Sequence, residues 1–224
     1  MIIVITVAIL FLDLLKVFPA IRTPAMHPHK VSGALNRLAS SCCFPVSGLT
    51  NERIVELREI NLGQDGNFSR DALITRINAD LANSLGNLVS RTTAMIEKYF
   101  GGTLPAARET DPADEELISL IRSTAGAYQK QMDAFQLHLG LEEVFRLINR
   151  ANKYIDETMP WKLAKDESQK QLLANTLYNL VESLRIISIL ISPFMPETAQ
   201  KIYDQLNLSD FDKIQLEDAQ TFGK

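Results

Sequence analysis

Residues 152–165 read NKYIDETMPWKLAK and hold the single tryptophan of a 224-residue chain. Upstream of it, Leu141, Val144, Phe145, Ile148 and Ile155 fall on one face of a predicted helix over Leu141–Ile155. Pro160 has no amide donor and biases Met159 away from helical angles, so that helix must stop before it. Downstream, Leu173, Leu177, Leu180, Leu184, Ile187 and Ile191 predict a second helix over about Glu167–Ile191, which Pro193 breaks. Two amphipathic helices joined by a short proline turn are the repeating unit of an antiparallel bundle. Trp161 then stands on the turn, with Lys162 and Lys165 close by. An indole flanked by cations suits a base-stacking platform, since stacking on an aromatic contributes about 1–3 kcal/mol per base. Equally, the indole could plug the bundle end as ordinary core.

The same pattern extends in both directions. Asp65-Gly66 is a turn signal, Ser69 supplies a helix N-cap and Asp71 suits the first-turn dipole. From about Arg70 to Tyr99, Ile74, Ile77, Leu81, Leu85, Leu88, Met95, Ile96 and Tyr99 keep a three-four spacing that Gly101-Gly102 ends. Asp111-Pro112 predicts the N-cap and first residue of the next helix. Its stripe runs Leu117, Ile121, Thr124, Tyr128, Met132 and Phe135, and Gly140 closes the turn that follows. Pro196 restarts a short fifth helix to about Leu206. The fold class is therefore all-α, an antiparallel bundle of about five helices.

Composition narrows the function. A net charge of −4 argues against generic electrostatic binding of nucleic acid, so any RNA contact must come from a local site. Cys42 and Cys43 are adjacent, which is not the spaced pattern of a zinc site, and they give no sign of an oxidising compartment. His27 and His29 lack a third ligand and read as a solvated loop. Residues 2–12, IIVITVAILFL, admit three readings. They are a buried strand or helix of a partial domain, a weak membrane or export segment closed by Asp13 and Lys16, or sequence not natural to the protein. Residues 17–55, with Pro19, Pro24, Pro28 and Pro45, read as irregular.

Asn87 and Arg91 are four residues apart, to one side of the apolar stripe. An Asn amide donates and accepts, and an Arg fork donates, so both suit base edges. Spacing alone also fits a solvated flank, or an Arg91 paired with a carboxylate such as Asp156.

Three segments carry a resemblance to methionyl-tRNA synthetases. NKYIDETMPWKLAK resembles the matching segment of their helical anticodon-binding half. LREINLGQDGNFSRDALITRINADLANSLGNLVSRT (Leu57–Thr92) resembles its junction and first long helix, and LYNLVESLRIISILISPFMPETAQKIYDQL (Leu177–Leu206) its last two helices. The likeness covers about Glu56–Leu206. It divides the chain into residues 1–55, outside the likeness; 56–68, a junction; 69–206, the helical domain; and 207–224, a tail whose EDAQTFGK only begins to resemble the family's.

The resemblance implies that Asn87, Arg91 and Trp161 read a CAU anticodon. Trp161 would stack on a splayed base, Asn87 and Arg91 would bond base edges, and Pro160 would fix the turn. Asn83, Asn152 and Lys162 would support them. The implied partner is the anticodon loop of methionine-accepting tRNA, in the cytoplasm, without DNA or membrane. The parent reaction is ATP-dependent attachment of methionine to tRNA. Its Rossmann half carries HIGH and KMSKS signatures, which MHPHK (Met26–Lys30) and KVSG (Lys30–Gly33) imitate poorly. The expectation is a truncated chain with no catalytic residue, metal or cofactor of its own. ATP would belong to a catalytic half, present if at all in trans. The alternatives are a helical scaffold that has lost RNA binding, or a fragment from a wrong start or frame disruption.

Overall fold

The computed structural model describes Thr75, residues 77–105 and residues 109–223. The apolar run 2–12, the irregular stretch to residue 55, the junction 56–68 and the Ser69 cap lie outside these residues. A π-helical segment, Ile77–Gly86, runs directly into α1 (Asn87–Phe100). There follow α2 (Asp114–Asp133), α3 (Leu137–Thr158), the single turn α4 (Pro160–Leu163), α5 (Lys170–Ile191) and α6 (Pro196–Gln205). Among the described residues there is no strand, so the all-α expectation holds.

Helix directions follow from the bonds between them. Asp114 and Glu116 on α2 receive bonds from Tyr154 and Arg150 on α3, so these neighbours are antiparallel. Ser84 and Arg91 meet Asn152 and Asp156, so α1 and α3 run the same way. The predicted stripe of α5 is buried throughout, and Ile186, Ile189 and Leu190 on its other sides are buried too. A helix buried on so many sides, polar residues included, is central to the bundle. Its buried Ser183 and Ser188 donate to their own helix carbonyls, at 2.7 Å and 2.6 Å.

A buried polar cluster joins α2, α3 and α5. Asp114 is 2% exposed. It accepts from the Tyr154 hydroxyl, from Asn175 Nδ2 at 2.6 Å and from the Asp111 amide at 2.8 Å. Asn179 Nδ2 donates to the Tyr154 oxygen at 3.3 Å. Burial, and then the bond to Asp114, hold the Tyr154 hydroxyl well above the usual tyrosine range.

A second cluster ties residues 207–223 to the bundle. Arg185 grips Glu182 through Nε at 3.0 Å and Nη2 at 2.9 Å. It also donates to the carbonyls of Asp218 and Thr221, while the Gly223 amide donates to Glu182. Leu216 and Ala219 are buried beneath this clasp.

Four local expectations need correction. The first long helix is not α throughout, because Ile77–Gly86 is wound as a π-helix. Helix α2 begins at Asp114, not at Pro112. Asp111 still caps, since its carboxylate accepts from Ala113 N at 2.7 Å, but it does so across a turn that precedes the helix. Phe135 leaves the α2 stripe: it occupies the α2–α3 turn at φ 59°, 38% exposed. Gly140 lies inside α3, where a Cβ would stand 2.9 Å from Met132 Sδ. It is a spacer that lets α2 and α3 approach, and the turn is made without it.

Candidate nucleic-acid interface

The site is built at the end of α3. Its last turn closes on Met159, at φ 45° and ψ 63°, whose amide donates to Ile155 O at 3.1 Å. Left-handed backbone at a helix C-terminus is usual for Gly and costs roughly 1–2 kcal/mol in other residues. Here Pro160 disfavours the ordinary helical alternative. Pro160 is buried as the first residue of α4, which seats the turn. Trp161 follows it and is 41% exposed, so the indole is not a core plug. Lys162 and Lys165 are exposed beside it and make no ion pair among the described residues.

One face of α3 connects this turn to α1. Asn152 and Asp156 are one helical turn apart and both reach α1 or the π-helical segment. Arg91 Nη2 donates to Asp156 Oδ1 at 2.7 Å, with the two side chains 29% and 64% exposed. Asn152 Nδ2 donates to Ser84 O and to Ile148 O, each at 3.1 Å, and its buried Oδ1 has no partner among the described residues. Asn83 and Asn87 are exposed. Asp156 precedes Trp161 by five residues, and the ion pair holds Arg91 to the last turn of α3.

The structure thus ties Arg91 to Asp156, on the last turn of α3. It gives Asn152 a bracing role, with its amide committed to backbone carbonyls. The pairing of Arg91 with Asp156 had a sequence signal in their charges, but the brace from Asn152 to Ser84 had none, because it joins residues far apart in sequence. Nearby, Arg150 bonds Glu116 at 3.0 Å and Glu157 at 2.9 Å, and Lys153 lies 3.2 Å from Glu157. Lys153, chiefly, and Arg150 lower the Glu157 carboxyl below its ordinary range. The cations on this part of α3 are therefore balanced, leaving the lysines of the Trp161 turn as open positive charge. Among the described residues no cluster of three or more His, Cys, Asp or Glu is placed to hold a metal ion. No described helix is long and apolar enough to cross a membrane.

Residues 104–222 match the family described as the anticodon binding domain of methionyl tRNA ligase. The chain belongs to the methionyl-tRNA ligase family. Residues 51–93 match a second model, tRNA synthetases class I (M). The methionine–tRNA ligase of Caldanaerobacter subterraneus subsp. tengcongensis is 53% identical over 163 residues, covering 73% of this chain and 26% of the relative. That of Clostridium perfringens is 54% identical over 151 residues, covering 67% and 23%. The chain therefore spans about a quarter of the length of these methionyl-tRNA ligases. The free form of Mycobacterium tuberculosis methionyl-tRNA synthetase superposes with a TM-score of 0.69 at 39% identity, covering 72% of this chain and 33% of that one. The helical bundle is the anticodon-binding domain of the methionyl-tRNA ligase family.

Proposed function

We propose that this chain binds the anticodon loop of methionine-accepting tRNA, with CAU as the sequence read. Trp161 stacks on a splayed base, while Asn87 and Arg91 bond base edges. The observation that carries this reading is the exposed indole on a turn fixed by Pro160, with Arg91 tied to the same helix end. The tie to Asp156 leaves Arg91 able to act. A guanidinium has five N–H donors, and Asp156 Oδ1 takes one of them. An exposed ion pair contributes about 0–1 kcal/mol, so a base edge can compete for the rest of the fork.

Supporting positions divide by their contacts. Pro160 holds the turn, Asn152 braces α3 against the π-helical segment, and Lys162 offers charge to the RNA backbone. The chain supplies recognition and a catalytic half supplies ATP and methionine chemistry, in the cytoplasm.

The test is binding of matched and mismatched anticodon stem-loops at one salt concentration. Trp161→Ala should weaken binding of both by about 1–3 kcal/mol. Asn87→Ala or Arg91→Ala should shrink discrimination by about 1–3 kcal/mol where the lost contact is bidentate. Thermal unfolding should be unchanged in all of them. Equal wild-type binding to both stem-loops would favour a second reading, a scaffold in which Arg91–Asp156 serves only to hold helices together.

A further inference from the structure

We infer that Tyr154 is the positioning residue of this interface. Its buried hydrogen bonds set the rotation of the last two turns of α3, and through them the placing of Asp156, Arg91 and the Trp161 turn. This rests on the anticodon-loop reading above and deepens it.

Arg150, Asn152, Tyr154 and Asp156 each bond to another element. At about 100° per residue, positions two apart fall on nearly opposite sides of a helix, and positions four apart on one side. Arg150 and Tyr154 accordingly face α2, where Arg150 bonds Glu116 at 3.0 Å and Tyr154 bonds Asp114. Asn152 and Asp156 face the other way, to Ser84 O at 3.1 Å and Arg91 at 2.7 Å. Directional bonds from opposite sides fix the rotation and register of this helix end.

Strength decides which tie governs. Glu116 and Asp156 have side chains 69% and 64% exposed, and ion pairs so open to water hold little. The Asn152 tie leaves a buried Oδ1 with no partner among the described residues, which offsets it. Tyr154 is buried. Its hydroxyl donates to the buried Asp114 carboxylate, a class of bond about twice as strong as a neutral one. It also accepts from Asn179 on α5, and Asn175 on α5 bonds the same carboxylate. Tyr154 therefore ties α3 to two helices at once.

The turn hangs from the same place. Thr158 Oγ1 donates to Tyr154 O at 2.7 Å, and the Met159 amide donates to Ile155 O at 3.1 Å. A left-handed residue other than glycine, such as Met159, persists only where its surroundings over-determine it. The bonds of Tyr154 supply that constraint from inside the bundle, so they stay in place when a base edge competes for Arg91.

The experiment uses the full chain and Tyr154→Phe, which keeps the ring and removes the hydroxyl. The variant should bind a matched CAU stem-loop about five- to tenfold more weakly, a smaller loss than full removal of stacking can cause. Matched and mismatched affinities should also draw together, because the indole and the Arg91 pair both depend on the end that Tyr154 fixes. Trp161 is the single tryptophan, so it reports without RNA. Its fluorescence anisotropy should decay faster in the folded variant than in the wild type. Ile191→Val, a core change at the far end of α5, is the control for lost stability and should leave both readouts unchanged. All measurements are made well below the melting temperatures. Unchanged anisotropy in Tyr154→Phe overturns the positioning role alone, as does wild-type affinity, or an equal loss in Ile191→Val. A wild-type chain that binds neither stem-loop overturns the anticodon-loop reading, and the interface role with it.

Discussion

Replacing Asp114 with alanine should destabilise the bundle by about 3 kcal/mol, a figure that follows from its three bonds. The carboxylate accepts from Tyr154, Asn175 and the Asp111 amide. After the change Tyr154 still accepts from Asn179, but its own O–H, Asn175 Nδ2 and the Asp111 amide all lose their acceptor. Each buried donor left unmade costs about 1–3 kcal/mol. Loss of a first-turn acid adds about 0.3–1 kcal/mol, and relief from burying a charge takes some of the total back. With a urea slope of about 1–3 kcal/mol/M, the midpoint should fall by about 1–3 M. Asp114→Asn keeps the shape and one acceptor, so it should fall between alanine and wild type. Urea unfolding followed by far-UV circular dichroism measures all three proteins. A loss under about 1 kcal/mol in Asp114→Ala would refute the claim that this cluster locks α2 to α3 and α5.

Other outcomes are expected. Tyr128 and Tyr154 are both raised above the ordinary range, chiefly by burial, so the folded chain keeps protons that the unfolded chain sheds from about pH 10. Stability is whole below that pH and falls above it. Melting temperatures between about pH 8 and 11 should show the decline, and Tyr154→Phe should reduce its slope. Arg185→Ala leaves Glu182 buried without its cation and should cost about 3–5 kcal/mol, whereas a Glu182→Met/Arg185→Met double variant should cost less. Limited proteolysis should cut residues 207–223 first in the single variant. The purified chain should give no ATP–pyrophosphate exchange with methionine, since neither HIGH nor KMSKS occurs in its sequence.

The helices were legible because their signals are local. Three-four spacing in α3 and α5, Pro160 and Pro193 as breakers, and Gly101 at φ 58° as a helix end all act within a few residues. The site residues were legible as chemistry, in that an indole on a proline turn and an Asn–Arg pair beside an apolar stripe could be named. Which of them meet was not. The Asn152 bond to Ser84 spans 68 residues, and Asp114 collects donors from two other helices. Winding was misread for a physical reason, because a four-residue apolar spacing serves both α and π turns. Gly140 was misread because glycine signals a turn in sequence, and only the packing of Met132 reveals the spacer.

The central position of α5 also bears on how the chain is made. Helices α1, α2 and α3 pack against it, yet it comes after them in the order of synthesis. While α1, α2 and α3 emerge, their inner faces have no α5 to cover them. At about 5–20 residues per second, the interval from the start of α1 to the end of α5 is on the order of 5–20 s. During that time the half-made bundle presents Leu88, Leu117, Leu141 and Ile148 without the helix that buries them. The nascent chain is therefore most exposed to chaperones and to aggregation in the seconds before Ile191 is added.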